Sequence, residues 1–181
     1  ASAVRELASL VARLCALAEP SRGTFVNVGR VEGGTFANVV ATEASADVDV
    51  RFESIDDGAR LDAAIRGVEP SVPGCRLEVA GGLDRPPLEK TPRNQALWDA
   101  AKQVASLLGL SIEEGLAGGG SDGCTTSQET ATLDGLGAVG DGAHAEHEHV
   151  DVDRSLERCA LLASLLLLPE VSSRGRDVSR L

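Results

Sequence analysis

Apolar side chains recur with helical spacing at the start of the chain, where Val4, Leu7, Leu10, Val11, Leu14 and Leu17 share one face over residues 2–18. Ser2 stands where a cap is needed and Pro20 ends the run. The period then shortens. Thr24–Val31 is rich in β-formers, with Val26 and Val28 on one face, and Glu32-Gly-Gly34 is a turn signal. Asn38–Val40 opens a second extended run that continues to Phe52. Its latter half alternates, with Ala46, Val48, Val50 and Phe52 inward and Asp47, Asp49 and Arg51 outward. Asp56 and Asp57 open a short helix carrying Leu61, Ala64, Ile65 and Val68 on one side, closed by Pro70. Cys75, Leu77 and Val79 alternate with Arg76 and Glu78, which predicts a strand ending at Gly81-Gly82.

This order is α-β-β-α-β. One strand placed before it would complete β-α-β-β-α-β, the split βαβ arrangement. A sheet short of that strand leaves an edge that pairs readily with another chain. The proline-rich connector Asp84–Pro92 marks the domain boundary. Beyond it, Arg93–Leu108 reads as a helix with an apolar face of Leu97, Ala100, Ala101, Val104, Leu107 and Leu108, and Gly109 is suited to end it. Ser111–Gly115 is a short extended piece leading to Gly118–Gly123. Cys124–Ala131 is polar and ambiguous, Thr132–Val139 is Gly-interrupted and extended, and Asp153–Leu168 is a helix ended by Pro169. The Ser/Arg-rich segment 171–181 reads as a disordered tail.

Composition narrows the class. A chain of 181 residues accommodates one domain or two small ones, and with three Phe, one Trp and no Tyr the packing falls to Ala, Val and Leu. A net charge of −11 argues against nucleic acid as a partner, since phosphate neutralisation needs a basic surface. Cys15, Cys75, Cys124 and Cys159 form no CxxC pair; Cys15 and Cys159 read as small core residues, and a reducing, cytoplasmic setting fits best. The longest apolar run, Cys159–Leu168, is too short to span a bilayer, and no signal peptide opens the chain. The absence of Met, with a helix pattern at the first residue, suggests a piece of a longer protein.

Candidate chemistry gathers in two loops. All three histidines, His144, His147 and His149, alternate with Glu146 and Glu148 in Gly140–His149. In an extended segment His147 and His149 share a face and His144 points away. The loop holds a metal through His144 or a histidine pair, or it is a solvated acidic loop; H-x-x-H-x-H matches no specific finger or zincin spacing. Gly118-Gly-Gly-Ser-Asp-Gly123 offers backbone N–H groups to an anion, or is a helix-entry turn capped by Ser121 or Asp122. It is neither a P-loop nor a nucleophile elbow, and its G-x-G-x-x-G spacing lacks the strand and helix of a dinucleotide site. Arg85 suits a carboxylate or is a solvated linker arginine; Asn38 suits a carbonyl or is a turn residue.

Taken together, Gly33-Gly-Thr-Phe-Ala-Asn-Val-Val40, Ala46–Phe52, Arg85-Pro-Pro-Leu-Glu89, Gly118–Gly123, Leu133-Asp-Gly-Leu-Gly137 and Gly142–Val150 resemble, in order and spacing, the zinc metallopeptidases of the acetylornithine deacetylase, succinyl-diaminopimelate desuccinylase and glutamate carboxypeptidase family. The resemblance covers about residues 2–168. It implies an α+β / α/β chain. Residues 1–82 would be most of a dimerisation and lid domain, an incomplete split-βαβ (ferredoxin-like) unit lacking its first strand. Residues 84–170 would be the C-terminal part of the α/β catalytic domain. It also implies His144 as the last zinc ligand, Asn38 and Arg85 as contacts to the substrate's carbonyl or carboxylate, and Gly119 and Gly120 as lining of that pocket. In such enzymes two zinc ions activate water to attack the amide of a small peptide or N-acyl amino acid, a glutamate is the general base, and the lid makes a homodimer.

The departures from the family pattern are as informative. Its remaining zinc ligands, the Glu-Glu pair holding the general base and the His-Ala-Gly segment before the first lid helix have no counterpart here, which leaves one ligand of the usual five. Cys124–Ala131 is polar where an apolar helix is usual, and Ala41 stands where a proline is common. The resemblance therefore implies part of an amidohydrolase, inactive alone and completed by an N-terminal catalytic segment. The competing readings are a non-catalytic dimerisation or interaction module, and a histidine-rich metal-binding protein.

Overall fold

The computed structural model describes residues 1–168, so the tail expected over residues 171–181 and Pro169 lie outside the described residues. The chain is α+β and divides into two compact units, Ala1–Pro87 and Leu88–Leu181.

The first unit is built on an antiparallel hairpin with two helices. Helix α1 (Ala3–Cys15) starts at Ser2, whose Oγ accepts from the Arg5 N–H. The orphan N–H of Ala3 donates to the carbonyl of buried Ala41 at 2.9 Å. Leu7, Leu10 and Leu14 form its buried face, and α1 packs on both strands. The helix stops at Cys15, short of Pro20, which instead opens a 3-10 turn (Pro20–Arg22). Cys15 is exposed, because it lies about 80° around the helix from the leucine face.

Strands β1 (Phe25–Gly33) and β2 (Ala44–Arg51) pair with Val26 opposite Val50 and Val28 opposite Val48. Strict alternation would then turn Arg30 inward. The register shifts between Val28 and Arg30, so Val31 opposes Ala46 while Arg30 opposes Asp47 on the polar side and pairs with Glu32. The second strand begins later than its sequence suggests. Residues 35–43 are turn and irregular backbone, and the Val39 N–H donates to Phe36 O at 3.0 Å.

Helix α2 (Ile55–Arg66) is capped reciprocally. Ser54 Oγ accepts from the Asp57 N–H at 3.1 Å and donates to the Asp57 carboxylate at 2.8 Å. Asp57, only 6% exposed, also accepts from Arg22 Nε at 3.0 Å and Nη2 at 2.6 Å. These bonds, Ser54's first, hold its carboxyl below the ordinary range. Leu61 of α2 is fully buried. A second buried carboxylate ties the loop after α2 to α1: Glu6 accepts from the N–H of Ser71 at 2.9 Å and of Val72 at 2.6 Å, which lowers its pKa.

The strand expected over Cys75–Val79 does not form. Cys75 and Leu77 are half-buried and Arg76 and Glu78 exposed, as predicted, but Val79, expected on the inward face, is 39% exposed, and the segment joins no ladder among the described residues. In a split βαβ sheet the last strand pairs with the first, and no described strand occupies that place.

The second unit rests on α3 (Pro92–Leu107) and α5 (Val152–Leu166). Val104, Ala105 and Leu161 form its core, with Leu110, Ile112, Leu136, Leu165 and Leu168 against it. The buried face of α3 also includes Asn94, Ala100 and Ala101; Leu107 and Leu108, expected inside, are 75% and 41% exposed. Gly109 follows the cap residue with φ +70°, and Leu110 N–H donates back to Ala105 O at 2.8 Å. Cys159 is exposed on the side of α5 away from Leu161, so it too is not a core residue. No helix among the described residues is long and apolar enough to cross a membrane.

Candidate functional site

The polar segment after the glycine loop is a helix, α4 (Asp122–Glu129), with Cys124 and Ser127 buried. Ser121 caps it: its Oγ accepts from the Gly123 N–H at 3.1 Å and bonds the Asp134 carboxylate. A Cβ on Gly123 would stand 3.0 Å from Asp134 Oδ2, so this turn closes tightly around that carboxylate. The loop therefore works as a capped helix entry, with Gly119 and Gly120 exposed ahead of it.

The other end of α4 is held by a residue to which the sequence assigned no role. Arg93 donates to the carbonyls of Ser127, Gln128 (2.7 Å) and Glu129 (3.3 Å). A cation set on the orphan carbonyls of a helix C-terminus satisfies them and complements the dipole. Beside it, buried Asn94 donates to Glu89 O at 2.8 Å and accepts from the Thr132 N–H at 2.9 Å. Arg93→Lys keeps the charge but loses the planar fork. It is expected to cost about 1 kcal/mol, read as a lower urea midpoint of the second unit.

The histidine loop joins β3 (Val139–Asp141) to β4 (His149–Asp151), which pair antiparallel. It is not extended, as the alternation of His and Glu suggested. Two successive turns shape it, Ala145 N–H donating to Gly142 O at 2.8 Å and Glu148 N–H to Ala145 O at 3.1 Å. Gly142 has φ +74°, and a Cβ there would meet the His147 ring at 2.7 Å, so that ring lies over the glycine. His149 Nδ1 is 3.1 Å from the His147 carbonyl. Two histidines thus serve the hairpin itself.

His144 differs from both. It is the one non-glycine residue among those described with positive φ, at 67°, and its side chain is exposed. The left-handed region costs a β-carbon-bearing residue energy, and such conformations concentrate at functional positions. His144→Gly is expected to stabilise the second unit by up to about 1 kcal/mol, because relief of the left-handed strain outweighs the added chain entropy. A urea titration of the two proteins checks this; a loss of stability would show that the ring holds the hairpin.

Asn38 lies exposed in the turn before β2, and Arg85 is exposed in the irregular segment near the end of the first unit. Gly119, Gly120 and His144 belong to the second unit, on two different loops. Among the described residues no three His, Cys, Asp or Glu side chains come together to hold a metal ion. A zinc pair therefore does not fit the donors of residues 1–168 alone; His144 is at most one ligand of such a centre.

Comparisons with known proteins agree with this architecture. Residues 1–68 match the family model of the peptidase dimerisation domain (M20_dimer). No curated protein sequence matches the chain. Among solved structures, the aminopeptidase PepT from Bacillus cereus shares the fold with a TM-score of 0.54 at 20% identity, over 78% of this chain. The matched part spans 39% of that aminopeptidase's length. The fold is thus α+β, with residues 1–68 matching a peptidase dimerisation domain and a fold shared with that solved structure over 78% of the chain.

Proposed function

We propose that the chain is the lid and the C-terminal wall of a zinc-dependent amidohydrolase of the acetylornithine deacetylase and glutamate carboxypeptidase family. It would be of carboxypeptidase or N-acyl-amino-acid deacylase type, cutting an amide bond next to a free carboxylate. The observation that carries this reading is the match of residues 1–68 to a peptidase dimerisation domain, in a chain whose fold follows that of an aminopeptidase over 78% of its length. In this reading residues 1–82 form the lid, which joins two copies into a dimer, and residues 84–170 belong to the catalytic domain. Asn38 and Arg85 hold the substrate's carbonyl and carboxylate, Gly119 and Gly120 line the pocket, and His144 contributes one metal ligand. Arg85 is exposed and makes no ion pair among the described residues, so its guanidinium is free for a carboxylate. The remaining ligands and the general base come from a complementary segment.

Activity assays of the 181-residue chain and of the complete polypeptide, on N-acyl amino acids and dipeptides, test the proposal. The chain alone is expected to show no turnover. The complete polypeptide is expected to show turnover that a chelator abolishes, with Arg85→Met raising KM about 10- to 100-fold and changing kcat less. Chelator-sensitive turnover by the 181 residues alone would overturn the incomplete-site reading. The second reading, a dimerisation module without catalysis, is favoured by the restriction of the family match to residues 1–68. It predicts a zinc-free dimer in sedimentation and a complete polypeptide without amidase activity.

A further inference from the structure

The loop that joins β1 to β2 carries Asn38, and both of its ends are held by the first turn of α1. Residues 34–40 are all exposed, so the loop gains little from packing along its length. Phe36 O accepts from the Val39 N–H at 3.0 Å, which closes a β-turn with Ala37 and Asn38 at its centre. At the exit, Ala41 is 8% exposed, and its carbonyl accepts the N–H of Ala3, an orphan donor of α1, at 2.9 Å. At the entry, Gly33 pairs with Ala44 in the last rung of the β1–β2 ladder. A Cβ on Gly33 would stand 2.7 Å from Ala44 Cβ and 2.9 Å from Val4 Cγ2, whereas directly paired Cβ atoms are usually about 4.5–5.5 Å apart. Neither neighbour yields cheaply: Ala44 has no rotamer to change, and a β-branched side chain in a helix is stiff at χ1. On Gly34, where φ is +74°, a Cβ would meet Ala41 Cβ at 3.6 Å and Val4 Cγ2 at 3.7 Å. Entry and exit thus close on one another beside Val4.

We propose that this contact is a clamp that sets where Asn38 stands, which makes Gly33 and Val4 positioning residues for the reaction. The proposal rests on the reading above that Asn38 holds the substrate's carbonyl. A displacement of about 1 Å in a reacting arrangement costs on the order of 100-fold in rate. An exposed loop meets that tolerance only if its base is fixed, and the base closes this far because residue 33 has no Cβ.

Kinetics of the complete polypeptide and hydrogen exchange of the 181-residue chain test the clamp together. Gly33→Ala is expected to lower kcat about tenfold and to change KM less than about threefold, since a misplaced amide loses transition-state contact more than substrate binding. Asn38→Ala is expected to cost about 100-fold in kcat, and Gly33→Ala added to it less than about threefold more. Ala44→Gly added to Gly33→Ala frees the space and should return kcat to within about threefold of the parent. The Val39 and Ala3 N–H groups are expected to exchange at least about fivefold faster in Gly33→Ala, and also in Val4→Ala, a milder change at a side chain that is 42% exposed, with the paired N–H groups of β1 and β2 unchanged. Unchanged exchange in both variants overturns the clamp. Faster exchange with an unaltered kcat overturns the positioning role, as do losses from Gly33→Ala and Asn38→Ala that multiply in full. A complete polypeptide without turnover sinks the proposed function and with it the use of Asn38, and the exchange rates then decide the clamp by themselves.

Discussion

Leu161→Ala is expected to lower the stability of the second unit by about 2–5 kcal/mol, and Leu61→Ala that of the first unit by a similar amount. Each leucine is 0% exposed, and Leu161 sits among Val104, Ala105, Leu165 and Leu168. Truncation removes buried methylene groups and leaves a cavity that short aliphatic neighbours fill poorly. With three Phe and one Trp in the chain, no large aromatic ring stands in that cluster to collapse into the space. The single tryptophan, Trp98 on α3, reports on the second unit, so its fluorescence in urea separates that transition from the far-ultraviolet dichroism of the whole chain. Leu166→Ala is the control. The same chemistry on the exposed side of α5 is expected to change stability by less than about 0.5 kcal/mol. If the Leu161 and Leu166 variants unfold alike, α5 does not pack as described.

Those two leucines also show what the amino-acid pattern could and could not disclose. Helical spacing identifies α5 as a helix and α1 as amphipathic, and Ser2 stands where a cap is used, whereas the cap of α2 falls at Ser54, ahead of the Asp56 and Asp57 from which the sequence opens that helix. Periodicity does not say which side of a doubly apolar helix is covered. Cys159 was expected in the core for that reason, and it is exposed. The same limit applies to Leu107 and Leu108, which extend an apolar pattern but stay exposed among the described residues. The alternation in Cys75–Val79 is met in burial only as far as Leu77, Val79 being exposed, and a strand needs a partner as well as a pattern; no described strand supplies one.

The site was legible only where a local rule governs. The helix entry at Ser121 follows from Ser-Asp-Gly beside glycines, and the structure realises it as a cap. Long-range polar ties leave no local trace. Arg93 reaches α4 across more than thirty residues, and Asp134 meets Ser121 from the next loop. In the histidine loop, alternation allowed an extended segment, but two successive turns, the first opening at Gly142, override it and set His144 in the left-handed region. Which histidine stands apart is thus a backbone property, visible only once the hairpin is formed.

On acidification the first unit is expected to unfold before the second, and Glu6→Gln is expected to flatten that acid limb. Glu6 is 5% exposed, and its carboxylate accepts from two backbone N–H groups, of Ser71 and Val72, and from the Ser71 hydroxyl. Asp57 is bound by Ser54, Arg22 and Arg60. In the folded chain both carboxyls titrate below their ordinary values of 4.5 and 3.8. The folded state therefore binds fewer protons than the unfolded state in that range, and stability falls as pH falls. The contribution is fully present above the ordinary values and disappears as pH drops through the folded ones. In the second unit Asp99 is also lowered, by Lys102 and then Gln95, but it is exposed, and salt screens such a surface pair. Glu6→Gln leaves one acceptor oxygen and turns an amide N–H₂ toward the donors of Ser71 and Val72. The variant should be less stable than the parent at neutral pH and converge with it as pH falls through the lowered folded-state value of Glu6. Asp57→Asn should behave likewise, and the double variant should show little acid limb in the first unit. Urea midpoints of the first unit from pH 7 to pH 2 measure this. Parallel curves for parent and Glu6→Gln would show that the buried carboxylate does not hold the loop after α2 onto α1 in the way its hydrogen bonds indicate.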